Sequence, residues 1–156
     1  GNLDKIDPRA LPGLDYLIAS LHTVCIEPST KEDNTKAILN AMEQEKVKII
    51  GHPDDSRYPL DYEAIVKRAK EKNILLEVNN SSLSPDTSRE GTRENVKTYL
   101  ELCKKYGVRI IMGTDSHICY DIGIFTHVEQ LIEEINFPKE LVMNYWEDQI
   151  IEFFGI

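Results

Sequence analysis

The sequence predicts an α/β fold built from parallel β/α units. Three observations predict it. Short apolar runs recur along the chain, longer segments between them carry apolar residues at helical spacing, and Gly, Pro and Asp clusters mark the changeovers. The runs are too continuously apolar for strands with one wet face, so they belong to a sheet with helices packed outside it.

Taken in order, DYLIASLH (15–22) is the first strand candidate, closed by the polar loop EPSTKED. Asn34 is placed to cap a helix in which Ala37, Ile38, Ala41 and Met42 share a face. VKIIG (47–51) is the next strand and runs into HPDDSRYP. Asp61 caps a helix whose Tyr62, Ile65, Val66 and Ala69 follow the i, i+3, i+4, i+7 pattern. ILLEVN (74–79) is the third strand, with NSSLSPDTSREG as its loop. The helix over 93–106 presents Val96, Tyr99, Leu100 and Cys103, and stops at Gly107. VRIIMG (108–113) is the fourth strand. A helix over 121–135 presents Ile124, Val128, Leu131, Ile132 and Ile135 as its apolar face. LVMN (141–144) and a closing helix, EDQIIEFF, complete a fifth unit. Periodicity alone leaves open whether the sheet is doubly wound or part of a barrel.

The 156 residues are 41% hydrophobic and 29% charged, which suits one globular domain. A net charge of −9 argues against nucleic acid or an anionic membrane as partner, since both need clustered Lys and Arg. A small anionic substrate stays possible, because a bound divalent cation reverses the local sign. Three scattered cysteines make no disulfide framework, no apolar stretch approaches membrane-spanning length, and a cytoplasmic setting is the expectation.

Three of the four histidines fall at or just beyond a predicted strand's C-terminal end: His22, His52 and His117, the last with Asp115 two residues before it. His127 sits within a helix. In parallel α/β folds that edge is where side chains from distant strands converge. One histidine at a strand end is ordinarily a hydrogen-bonded polar residue, and Asp115 after Gly-Thr suits a turn or cap. The same feature at three ends favours a shared site instead. Imidazole and carboxylate form the mixed N/O donor set of Zn²⁺, Mn²⁺ or Fe²⁺, and such ions activate water for hydrolysis without a Ser or Cys nucleophile. Glu77, in an otherwise apolar strand, is expected to orient a ligand. Asn80 is expected at the site's rim, and Arg57 and Arg89 are candidates for binding a phosphate as planar forks. Cys119 is expected to be a small packed thiol.

The segments LIASLHTV, VKIIGHPDD, ILLEVNNSS and IIMGTDSH, in this order, resemble the PHP (polymerase and histidinol phosphatase) family, and most closely its small bacterial phosphatase-like members. The resemblance runs from about residue 14 to the end of the sequence. It implies a distorted seven-stranded (β/α) barrel with a trinuclear metal centre, often zinc, that hydrolyses phosphate esters by metal-activated water. On that pattern His22 and His52 would share one ion, Asp115 would hold a second and His117 a third. PHP domains open with an H-x-H strand and supply further histidines and a bridging glutamate, none of which is in this sequence. Residues 1–156 are therefore expected to be the C-terminal portion of a single domain, with GNLDKID as the turn after the glutamate-bearing strand. Open sheet edges would then favour self-association, and the piece alone would be catalytically impaired. The alternatives are a non-catalytic or regulatory metal-binding barrel and an amidohydrolase-like hydrolase of non-phosphate substrates.

Overall fold

The computed structural model describes Arg9 and residues 11–156, so the GNLDKID turn lies outside the described residues. Four parallel strands, β1 (Leu17–Ala19), β2 (Val47–Ile50), β3 (Leu75–Asn79) and β4 (Ile110–Gly113), pair in the order β1-β2-β3-β4. Each connection carries a helix: α1 (Lys31–Ala41), α2 (Tyr62–Lys72) and α3 (Thr92–Tyr106). α4 (Thr126–Glu134) and α5 (Glu147–Phe154) follow β4. The β3–β4 register runs from Leu76 opposite Ile110 to Asn79 opposite Gly113, so those two strands end level. Beyond β4, the expected fifth strand shortens to one bridge, Ile110 to Val142, between the 3-10 turns Lys139–Leu141 and Met143–Tyr145.

Alternation along β3 divides the sheet into two faces. Leu76 and Val78 join Ile110 and Met112 under α1–α4, in a core that holds Ile38, Ile65, Val66, Val96, Tyr99, Leu100 and Leu131. Leu75 points the other way, where it joins Ile49, Met143 and the α5 residues Ile150, Phe153 and Phe154. Glu77 shares Leu75's parity, so it emerges on the face opposite the main core. That face is covered unevenly: Ile18 on β1 is 54% exposed, against the expectation that every strand is buried on both sides. Among the described residues β1 has only β2 as a sheet neighbour.

The helix boundaries correct the sequence reading in two places. Thr30, rather than Asn34, is the α1 N-cap, its side chain accepting from the Asp33 N–H at 3.2 Å. Asn34 is buried within the first turns and donates to the Ser29 carbonyl at 3.0 Å. α4 begins at Thr126 rather than 121, because Cys119–Asp121 forms a 3-10 turn and Gly123 takes φ +79°. Ile124 is exposed as a result. Asp61 caps α2 as expected, accepting from the Ala64 N–H at 3.1 Å, and Gly107 ends α3 at φ +64°. Among the described residues no helix is long and apolar enough to cross a membrane.

Leu76 is fully buried between the strands and α2–α3. Replacing it with Ala removes most of its contacts and leaves a cavity, so Leu76→Ala should lower unfolding free energy by about 2–5 kcal/mol in urea denaturation. Ile18→Ser on the exposed strand should change it by no more than about 0.5 kcal/mol.

Candidate functional site

The C-terminal ends of β1 and β2 bring His22 and His52 together. Their rings meet edge to face, with centroids 4.7 Å apart. His22 sits in the turn after β1, its carbonyl accepting from the Cys25 and Ile26 N–H groups at 2.8 and 2.9 Å. His52 follows Gly51 at the end of β2 and has φ +28°, a left-handed value that is uncommon for residues other than glycine. Two bonds hold it there. The Glu77 carboxylate accepts its N–H at 2.7 Å, and its carbonyl accepts the Asp54 N–H at 2.8 Å.

Glu77 reaches this position because two flanking residues have no side chain. A Cβ on Gly113 would lie 1.9 Å from Glu77 Oε1, and one on Gly51 would lie 3.5 Å from Oε2. The carboxylate thus fills a notch between β2 and β4. Burial raises its proton affinity, while the His52 N–H and the Asn79 amide oppose that. For His52, burial, then the Arg89 charge and His22, push the imidazole down to about 4. At neutral pH the ring is therefore uncharged, the form that ligates a metal.

Asp115, beyond β4, is a second left-handed residue, at φ +52°. Its Oδ2 accepts from an Arg89 terminal nitrogen at 2.9 Å. Partial burial works against its ionisation, but the Arg89 hydrogen bond outweighs this and holds the carboxyl below the usual range. His117 is exposed, its Nδ1 3.0 Å from the Asp115 carbonyl oxygen. A carbonyl only accepts, so Nδ1 carries the proton and Nε2 keeps its lone pair.

The other expected site residues are already engaged. Arg57 Nε donates to both Asp55 oxygens, at 2.9 and 3.0 Å. Burial pushes the Asp55 carboxyl up, but its bonds to Arg57 prevail and hold it low. Asn80 Oδ1 accepts from the His127 and Val128 N–H groups at 2.9 and 3.3 Å, which caps the first turn of α4 from a distance. Cys119 is exposed, not packed, because the 3-10 turn that carries it stands clear of the core.

Two neutral imidazoles side by side suit Zn²⁺ or a similar ion. They supply half of a tetrahedral donor set. Among the described residues no three His, Cys, Asp or Glu side chains converge on a point that would hold an ion. Asp115 is committed to Arg89 and His117 to its own turn. The donors present therefore fit a metal only in part, and no reaction step is derived through one.

Sequence reasoning missed Asp54 and Ser82. Both are fully buried beside the histidine pair. Asp54 reads as a loop acid in HPDD, yet neither of its carboxylate oxygens has a hydrogen-bond partner. Burial drives its carboxyl up to about 7 against the opposing effects of Ser82 and Arg89. The glycine notch was visible as a signal: a Gly closes the strand on each side of the one that carries Glu77.

The chain is 53% identical over 153 residues to a probable phosphatase of Clostridium acetobutylicum, covering 98% of this sequence and 62% of the relative. It is 48% identical to a probable phosphatase of Clostridium novyi and 42% to one of Acetivibrio thermocellus, each over 153 residues with the same coverage. The chain thus spans less than two thirds of the length of these curated relatives. No family model matches it.

The two unusual pKa values act on stability in opposite directions. Asp54 has a raised value in the folded state, so its penalty on folding grows as pH rises from about 3.8 to about 7. His52 has a depressed value, so its penalty grows as pH falls from about 6.5 to about 4. Asp54→Asn should therefore stabilise the chain above pH 7, and that gain should vanish near pH 4. Urea denaturation of parent and variant at both ends of the window checks this, and a pH-independent difference would contradict it.

Proposed function

We propose that the protein to which this sequence belongs is a metal-dependent phosphatase of the PHP type, acting on small phosphate esters. The observation that carries the reading is the pair of facing imidazoles, His22 and His52, at adjoining strand ends, with the Arg89–Asp115 ion pair beside them. The relatives named as probable phosphatases support the reaction class. In this reading the four parallel strands belong to a seven-stranded (β/α) barrel, and the working centre is trinuclear, with zinc as the first choice and manganese or iron as alternatives.

A bound divalent ion would supply Lewis acidity toward a phosphoryl oxygen and an activated water. His22 and His52 would hold one ion, and Asp115 and His117 would each serve a neighbouring one. Glu77 acts through the backbone: it fixes the strained His52 peptide and so the ring's direction. Arg89 and Arg57 are the forks for phosphate, and each must loosen an existing carboxylate partner to reach it. The completing donors are not among the described residues, so the chain by itself is expected to turn over phosphate esters poorly. This favours impairment of the isolated chain over full activity. A cytoplasmic location, and self-association along the β1 edge, belong to the same proposal.

Elemental analysis of the purified chain should find zinc, manganese or iron below one ion per chain, and His22→Ala/His52→Ala should remove it. Restored to the length of its relatives, the protein should hydrolyse p-nitrophenyl phosphate, lose that activity to a chelator and regain it with Zn²⁺ or Mn²⁺. It should leave p-nitroanilide amides intact. Chelator-insensitive turnover, or preference for the amide, would count against the assignment.

A further inference from the structure

One charge beside the histidine pair has no task in the proposed chemistry. Asp54 is wholly shielded from solvent, and both of its carboxylate oxygens lack hydrogen-bond partners. Buried carboxylates are ordinarily paired, since desolvating a charge without compensation is costly. The backbone fixes this residue in place. Its N–H donates to the His52 carbonyl at 2.8 Å, and its own carbonyl accepts the Asn95 Nδ2 at 2.7 Å. The side chain is thus held inside by the same turn that presents His52.

Ser82 connects it to Arg89. The Ser82 hydroxyl is fully buried, and its oxygen accepts from an Arg89 terminal nitrogen at 2.8 Å. The hydroxyl's own proton is left for an acceptor, and Ser82 is the foremost side chain favouring the charged form of Asp54. Arg89's other terminal nitrogen donates to Asp115 Oδ2 at 2.9 Å. One guanidinium therefore serves two carboxylates, Asp115 directly and Asp54 across a single hydroxyl. Its side chain is only 15% exposed, so it has little solvent to retreat into.

We infer that Asp54 is a positioning residue for Arg89, a second seat that the guanidinium takes when Asp115 gives its charge to a cation. This rests on the reading of Asp115 as an ion ligand. A cation arriving at Asp115 would repel Arg89. Without another acid within reach, the arginine would have to leave the site or block the cation. With Asp54 behind Ser82, one ion pair is exchanged for another, the buried acid gains the partner it lacks, and Arg89 stays at the rim, where a phosphate can meet it. The unpaired state of Asp54 is then the resting half of a two-position arrangement.

A double-mutant cycle tests this without any metal. Asp115→Asn removes the first seat, as a bound cation would, and Asp54→Asn removes the second with almost no change of shape. In urea denaturation at mildly alkaline pH, Asp115→Asn alone should cost little, because Arg89 re-pairs with Asp54. In the Asp54→Asn background the same change should cost about tenfold more in the unfolding constant, the size of coupling expected for charges that share one partner. Additive effects overturn the proposal. Should the double variant fail to fold, the Arg89 side-chain Nε–H resonance in Asp115→Asn decides instead. A signal still displaced from that of a free arginine supports the second seat, and a free-arginine signal overturns it. Because neither readout involves a metal or turnover, failure here is distinct from failure of the phosphatase reading, which the chelator experiment addresses.

Discussion

The Glu77 carboxylate is the constraint on which the site depends. It sits on the middle one of three adjoining strands, in space left by Gly51 on one side and Gly113 on the other. Any side chain at Gly113 would occupy the carboxylate's own position. The same group accepts the His52 N–H, and that bond holds a non-glycine residue at positive φ. Three strand ends are thus keyed to one buried acid. A strained residue persists only where its surroundings over-determine it, and here the determinants come from β2, β3 and the turn containing Asp54.

Charge around this acid is balanced by very few cations. Glu77, Asp54 and Asp115 cluster at one edge of a chain whose net charge is −9. Arg89 is the cation that bears on all three, and on His52 as well. Its positive charge helps keep His52 neutral and Asp115 ionised, which are the protonation states that metal ligation needs. An arginine here prepares ligands before any ion arrives, and by pairing with Asp115 it also limits how an ion can enter.

Much of the fold was legible in the sequence because burial imposes a period. The apolar spacing of 62–72 and 92–106 fixed two helices nearly to the residue, and Asp61 and Gly107 marked their ends. The α1 cap was misread because Asn34 and Thr30 are both competent caps in composition. The choice went to Thr30, while Asn34 was needed as a buried link to Ser29 and Pro59. The facing of His22 and His52 was legible from strand ends alone. The left-handed conformations of His52 and Asp115 were not, since nothing in their identities requires φ > 0. Nor was the burial of Asp54: an acid in a Pro- and Asp-rich turn ordinarily faces water. Only the way α3 brings Asn95 onto that turn shuts it in.

Stability and chemistry lie on opposite faces of the same sheet. The large core under α1–α4 uses Leu76, Val78, Ile110 and Met112, whereas Glu77 and Gly113 look the other way. The fold can therefore stand while the site remains incomplete. The two faces are still joined at one point, where the hydroxyl of fully buried Tyr99 on α3 donates to the Glu77 carbonyl at 2.8 Å. That bond crosses from core to strand at the residue whose side chain sets His52. A shift of α3 against the sheet would move Glu77, and with it the His52 peptide, before it disturbed any other described part of the site. The precision of the imidazole pair is in this sense inherited from the packing of a helix that contributes no proposed ligand to it.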